Sequence, residues 1–268
     1  MIDPLSAFTV GRATVRIYAT GDAMAEATAT CAAEVLGEAV HARGQARVII
    51  GTGPSQAAFI AALTRRDVPW SHVEVFHMDE YLGMPATHPA SFRRWLHTHL
   101  TDIVRPAAVH DLAGDAPDVD AEMARYTSLL HAGPIDLSCV GFGENGHLAF
   151  NDPHVADFDD PLTVKRVDLD ERCRLQQVGE GHFSSLEASP ATALTVTLPA
   201  LMRADTVIAC VPDTRKAEAV RAALTGPIDP MCPASLVRRH PRAFVFLDAD
   251  AASLLDERAL ASVTSQEG

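Results

Sequence analysis

The sequence predicts an α/β fold: a modified doubly wound, Rossmann-like sheet of largely parallel strands, with helices on both faces and an irregular lid segment. Three observations predict it. Short apolar runs of strand length alternate with Ala-rich helical stretches along most of the chain, the pattern of strands joined by crossover helices. Hydrophobic residues make up 47% of the chain but aromatics only 6%, so a sizeable core must be built from Ala, Val, Leu and Ile. Two of the apolar runs end in clusters of acid/base residues, and in open α/β sheets ligands bind at the carboxyl ends of strands.

The elements follow in order. Residues 15–18 read as a short strand, and the Ala-rich stretch 22–41 reads as a helix with Asp22 as its N-cap. Residues 47–50 form the next strand, and residues 56–63 open a second helix. A strand at 73–76 precedes a helix at 91–100. A helix at 118–130 precedes the strand 135–140, and residues 195–198 read as a strand end. A strand at 206–211, a helix at 214–224 and a last strand at 243–247 complete the alternation. Two segments break it. Residues 152–161 carry Pro153, Pro161 and four aspartates, and residues 171–190 carry Gln176, Gln177, Gly179 and Gly181 with little periodicity. Each is read either as an active-site lid or as a solvated excursion. No repeat or linker divides the chain, so residues 1–268 are expected to form one domain, with the tail 262–268 frayed.

A formal charge of −13 argues against nucleic-acid binding, which needs a basic face, but leaves room for a phosphorylated small molecule held by a few local donors. The five cysteines, Cys31, Cys139, Cys173, Cys210 and Cys232, form no CxxC pair and no disulfide framework; Cys139 and Cys210 read as core fillers. The start does not read as a signal peptide and no apolar run reaches membrane-spanning length, so a cytoplasmic setting is expected.

Four constellations carry chemistry. Gly51-Thr52-Gly53-Pro54-Ser55 joins a strand to an apolar helix, where glycines, hydroxyls and free N–H groups suit an anion. It lacks the Walker lysine, and an ordinary tight turn would look the same. His77-Met78-Asp79-Glu80-Tyr81 ends a strand; a partly desolvated carboxylate there suits a general base, and an N-cap or surface turn is the plainer reading. The run Gly141-Phe142-Gly143-Glu144-Asn145-Gly146-His147 leads to Asn151-Asp152-Pro153, so the loop can fold an amide or a carboxylate onto the imidazole. Arg215-Lys216 opens a helix, where a cation is disfavoured unless an anion binds, so Lys216 is either a phosphate partner or a solvated lysine. The other histidines show no metal-ligand spacing, so a catalytic metal is not expected.

In this order, the four elements resemble the glucosamine-6-phosphate deaminase/isomerase family, from about Ile17 to about Leu254. The specific parts are Phe76 through Tyr81 with His88-Pro89 and Ser91-Phe92, and Gly141 through Pro153. The resemblance implies conversion of glucosamine 6-phosphate and water to fructose 6-phosphate and ammonia, with no redox or organic cofactor. It implies that His147 opens the pyranose ring and that Asp79 carries the C2 proton to C1. Asn145 and Asp152 stand where the family supports the histidine. Gly51, Thr52, Gly53, Ser55, Glu80, Gly143, Gln177 and Lys216 are the implied substrate and phosphate contacts.

Three departures from the family stand out. The loop reads Asn145-Gly146-His147 where well-characterised deaminases have Asp-Gly-His, and Asn151-Asp152-Pro153 where they have Asn-Glu-Pro. If both partners contact His147, its imidazolium is less stabilised here, and Asn145→Asp is expected to speed ring opening. Gln177 falls at the position of the family's phosphate-binding arginine, with Arg172 and Arg174 nearby. The stretch His154-Val155-Ala156-Asp157 replaces the serine pair used by allosteric members, which argues against that control and weakens the case for the accompanying oligomer; a homo-oligomer is left open. The alternatives are an isomerase or deaminase of another phosphorylated sugar, a 6-phosphogluconolactonase, and a non-catalytic sugar-phosphate sensor. Ala149-Phe150-Asn151-Asp152-Pro153 follows the deaminase pattern rather than the lactonase one, and no helix-turn-helix precedes the first strand.

Overall fold

The apolar runs pair into one eight-stranded sheet in a computed structural model that describes residues 2–255. The expected frayed tail, residues 262–268, lies outside the described residues. In chain order the strands are β1 (Ser6–Val10), β2 (Ala13–Tyr18), β3 (Ala46–Ile50), β4 (Val73–His77), β5 (Asp79–Tyr81), β6 (Ala108–His110), β7 (Leu137–Val140), β8 (Val164–Asp168), β9 (Thr192–Val196), β10 (Thr206–Val211) and β11 (Ala243–Asp248). The main sheet runs β1-β2-β11-β10-β7-β3-β4-β6, with β1 antiparallel to β2 and every other pair parallel. Its central strands β3, β7 and β10 are buried on both faces, while the edge strands β1 and β6 are not. Val48 and Ile50 of β3 enter one apolar cluster while Ile49 between them enters the other, the two-residue period of a covered sheet.

One face is covered by α1 (Gly21–Arg43), α2 (Ala57–Leu63) and α3 (Phe92–Leu96), which continues through a π turn, His97–Thr101, into α4 (Asp102–Val104). The cluster on the other face takes in residues of α5 (Val119–His131), α7 (Leu198–Leu201) and α8 (Ala217–Thr225). The N-cap of α1 is Thr20, not Asp22: Thr20 Oγ1 accepts from Ala23 N at 3.2 Å, and Asp22 lies inside the first turn. Gly44, at φ 77°, ends the helix in the left-handed region that glycine adopts without strain.

Strands β5, β9 and β8 form a separate antiparallel sheet. Residues 171–190 are not irregular throughout: α6 (Glu171–Gly179) opens the segment, capped by Asp170 Oδ1 accepting from Cys173 N at 2.6 Å. Only Cys173, Gln176 and Gln177 of this polar helix are buried, so it shows no apolar stripe in the sequence.

Strands β3 and β7 are neighbours, but the chain leaves β3 toward β4 and β6, and leaves β7 toward β10 and β11. The order of winding reverses between them, and a crevice opens at their carboxyl ends.

Candidate active site

The crevice is a cleft of about 530 Å³, part of it open to solvent. Residues 51–55 enter it after β3, Met78 and Asp79 after β4, residues 141–150 after β7, and Lys216 after β10. The four stretches singled out in the sequence therefore meet in one place.

Gly51 sits where backbones approach closely: its N–H donates to Cys139 O at 2.8 Å, and a Cβ there would press on the same oxygen at 3.0 Å. Gly53 has φ 102°, and Pro54–Gln56 then form a 3₁₀ turn ahead of α2. Thr52 and Ser55 line the cleft with both glycines.

Asp79 begins β5, opposite Thr195 of β9. Its carboxylate faces the cleft and has no hydrogen-bond partner among the described residues. Burial, with a smaller push from neighbouring Glu80, raises its pKa to about 8. Glu80, expected among the substrate contacts, does not line the cleft. It is fully buried on the other side of β5, where its carboxylate accepts from Ser91 Oγ at 2.6 Å, Arg93 N at 3.1 Å and Tyr81 N at 3.0 Å. Strand alternation forces adjacent carboxylates to opposite sides, and the start of α3 uses the second one.

The His147 loop is held to the same small sheet. Phe150 N donates to Thr195 Oγ1 at 3.1 Å, and Asn151 Nδ2 donates to Val196 O at 2.9 Å. The residue paired with Asp79 thus also anchors the loop that carries His147. A Cβ on Gly143 would lie well under 3.0 Å from three atoms of the His147 ring, so only glycine leaves room for the imidazole. Ala149 takes φ 51°, a conformation that L-residues with side chains seldom adopt.

His147 lines the cleft, and behind it Nδ1 stands 3.0 Å from Asp152 Oδ1, an ion-pair contact rather than a well-aligned hydrogen bond. Asp152 is fully buried. Burial alone would raise its pKa, but His147, the Asn145 amide and the Asp170 N–H together hold it below the usual carboxylate range. Asn145 does not touch the imidazole. Its Oδ1 accepts from His147 N at 3.0 Å, and its Nδ2 donates to Asp152 Oδ1 and to Asp170 Oδ2, each at 2.9 Å.

Lys216 ends a 3₁₀ turn, Thr214–Lys216, and is 1% exposed with no hydrogen-bond or ion-pair partner among the described residues. Burial lowers its pKa, and Glu180 and Glu144 act against that. Gln177 lines the cleft and its Oε1 accepts from Tyr81 Oη at 2.8 Å. Neither arginine near it faces the cleft: Arg174 donates to Leu186 O and Ser189 O, and Arg172 pairs with Glu218 at 3.6 Å. The sequence reading missed Gln176 and Glu180, which also line the cleft from α6 and the turn after it. Their spacing, i and i+4 on a helix, was the available signal once the segment is known to be helical.

His147, Asp152 and Cys173 place one potential ligand atom each within 4.8 Å of one another, as do Asp152, His154 and Asp170. Asp152 is common to both groups, and its two oxygens already accept from Asn145 and from the Asp170 N–H.

The family model of glucosamine-6-phosphate isomerases/6-phosphogluconolactonase matches residues 19–246. A curated protein of Exiguobacterium sibiricum named glucosamine-6-phosphate deaminase is 33% identical over 210 residues, 78% of this chain and 81% of the relative. A solved structure described as a monomeric glucosamine-6-phosphate deaminase superposes with a TM-score of 0.81 at 26% identity, over 90% of this chain and 99% of that one. A 6-phosphogluconolactonase of Shewanella baltica superposes with a TM-score of 0.74 at 20% identity, over 90% and 100% of the two chains, which shows the shared fold. With that match running from the first crossover helix to the last strand, the chain belongs to the family of glucosamine-6-phosphate isomerases and 6-phosphogluconolactonases.

Proposed function

We infer that the protein is an enzyme that converts glucosamine 6-phosphate and water to fructose 6-phosphate and ammonia. The observation that carries this reading is the pairing in one cleft of an unpartnered, desolvated carboxylate, Asp79, with an imidazole backed by a buried carboxylate, His147–Asp152. The curated relatives bearing the deaminase name support it. The cleft belongs to a single domain, and the five free cysteines suit a cytoplasmic setting.

In this reading His147 takes the proton of the C1 hydroxyl and returns one to the ring oxygen, which breaks the C1–O5 bond and leaves an open-chain aldehyde. Asp152 favours the imidazolium formed in between. Asp79, as carboxylate, takes the proton from C2. The resulting enolamine accepts that proton at C1, giving a ketimine at C2. Water adds to the C=N bond and ammonia leaves, so the atoms balance without an oxidant or reductant. In this reading the phosphate sits against Lys216 and the N–H groups and hydroxyls of residues 51–55, and gives the buried ammonium a direct partner that Glu180 and Glu144 do not supply. Gly143 keeps the imidazole next to the substrate by yielding it space.

The absence of a cleft-facing arginine on α6 favours a second reading, an isomerase or deaminase of another phosphorylated sugar, because Gln176, Gln177 and Glu180 offer hydroxyl-binding groups there instead. The deciding experiment measures ammonia and fructose 6-phosphate released by purified protein, with Asp79→Asn as control. Stoichiometric release, lost in the control, establishes the first reading. Turnover of a different sugar phosphate in place of glucosamine 6-phosphate establishes the second.

A further inference from the structure

We propose that Asp170 is a positioning residue for His147, acting through the side-chain amide of Asn145 on Asp152; this rests on the acid/base role given to His147 above. Both amide hydrogens of Asn145 and its oxygen are engaged. Its two amide hydrogens go to two different carboxylates, Asp152 and Asp170, at 2.9 Å each, and its oxygen accepts the backbone N–H of His147 at 3.0 Å. This pattern fixes the amide orientation, because a flip would set the oxygen against two anions and the NH₂ against a donor. It also fixes His147 at both ends, the backbone by Asn145 and the ring by Asp152.

Asp170 closes the arrangement from outside the loop. Its N–H donates to Asp152 Oδ2 at 3.2 Å, so Asp152 is gripped on one oxygen by Asn145 and on the other by Asp170. Its Oδ2 takes the second hydrogen of Asn145, while its Oδ1 caps α6 through Cys173 N. One residue thereby ties the pair behind His147 to the helix whose Gln176 and Gln177 form a wall of the cleft. Without the Asp170 carboxylate, the amide loses the acceptor that holds it in register, and Asp152 can turn away from Nδ1. The charged and titratable groups about Asp170 are Asp152, His154 and Cys173.

The test separates the bridge from the cap. Asp170→Ser keeps an N-cap acceptor for α6 but is too short to reach Asn145. The expected result is a fall in kcat of about 10-fold with KM within about two-fold. Asn145→Ala, which also removes the acceptor of the His147 N–H, should give at least as large a fall, and the double variant no further one than Asn145→Ala, because the Asp170 bridge runs through that amide. A multiplicative loss in the double variant, an effect on KM alone, or an unchanged kcat overturns the proposal. If Asp170→Ser does not fold, Asp170→Asn decides in its place: it keeps the cap oxygen and presents a donor to the Asn145 donor. A second readout needs no turnover. The imidazole nitrogen resonances of His147, assigned with His147→Gln, should show the Nδ1–H tautomer in the parent protein and lose that bias in Asp170→Ser. An intact bias overturns the proposal, whereas a parent protein that shows the bias but turns over no glucosamine 6-phosphate refutes the functional reading alone.

Discussion

Asp79 carries a conflict between stability and chemistry. A carboxylate buried without a donor is costly, and the protein keeps it protonated up to about pH 8. A base must be unprotonated to act, so kcat/KM of the free enzyme is expected to rise about tenfold per pH unit at lower pH and level off above about 8. A pH–rate profile flat between 6 and 9 would remove Asp79 from this role. Asp79→Asn should lower kcat by roughly 10³-fold while leaving ligand affinity within a few-fold. It should also stabilise the fold in a pH-dependent way. The folded-state pKa is raised above the unfolded value, so the stability this group contributes is present below pH 3.8 and lost as pH rises through about 8. The gain in melting temperature of Asp79→Asn over the parent is therefore expected to be small at pH 4, to grow to pH 8, and to stay constant beyond it. Asn145 yields a second prediction at this scale, opposite to the one the loop sequence suggested. Asn145→Asp would set a third carboxylate against Asp152 and Asp170, both of which now accept from the amide. Ring opening should slow by about 10-fold or more rather than quicken. An increase in kcat would mean that the side chain at 145 reaches the imidazole during turnover.

Among the elements, those with apolar periodicity were legible in the sequence and those built from polar residues were not. Strands β3, β7 and β10 are buried along their whole length, and helix α5, capped by Asp118, falls within a residue of the stretch 118–130 read as helical. Strand β5 is only Asp-Glu-Tyr, and β8 is Val-Lys-Arg-Val-Asp, with a half-buried lysine and an exposed arginine between two buried valines. Such strands exist because tertiary pairing supplies what their own pattern lacks. The same holds for α6, whose buried groups are two glutamines and a cysteine. The site was legible wherever glycine and histidine mark a turn after an apolar run. It was illegible where the partner comes from far along the chain, as Asp170 does for Asn145 and Thr195 does for Phe150. The turn that presents Lys216 gives a prediction at this scale. An ammonium that is 1% exposed and unpartnered contributes little to stability, so Lys216→Met should leave the melting temperature unchanged or raise it. It should raise KM for a phosphorylated sugar by about 10- to 100-fold through the lost charge-assisted hydrogen bond. A protein that unfolds with KM unaffected would make Lys216 structural.

Across the whole molecule, the two proton-moving groups come from separate layers of structure. The main sheet delivers His147 from β7, and the small sheet delivers Asp79 from β5. Their relative placement depends on what joins the layers, and Thr195 is that joint. Its backbone pairs with Asp79 in the β5–β9 ladder, while its hydroxyl accepts from Phe150 N. Thr195 is fully buried, so a valine there would fit by volume but leave Phe150 N without its acceptor. Thr195→Val should cost about 1–3 kcal/mol in denaturant unfolding. It should lower kcat more than it raises KM, because a loop shifted by a fraction of an ångström still binds sugar phosphate but no longer sets His147 and Asp79 in one geometry. Thr195→Ser restores the acceptor and should recover most of kcat. If serine and valine lose activity equally, the methyl packing of Thr195 matters and the hydroxyl does not. The two layers would then be registered by the apolar contacts of Leu194 and Val196 on either side of it, both of which lie in the main-sheet core.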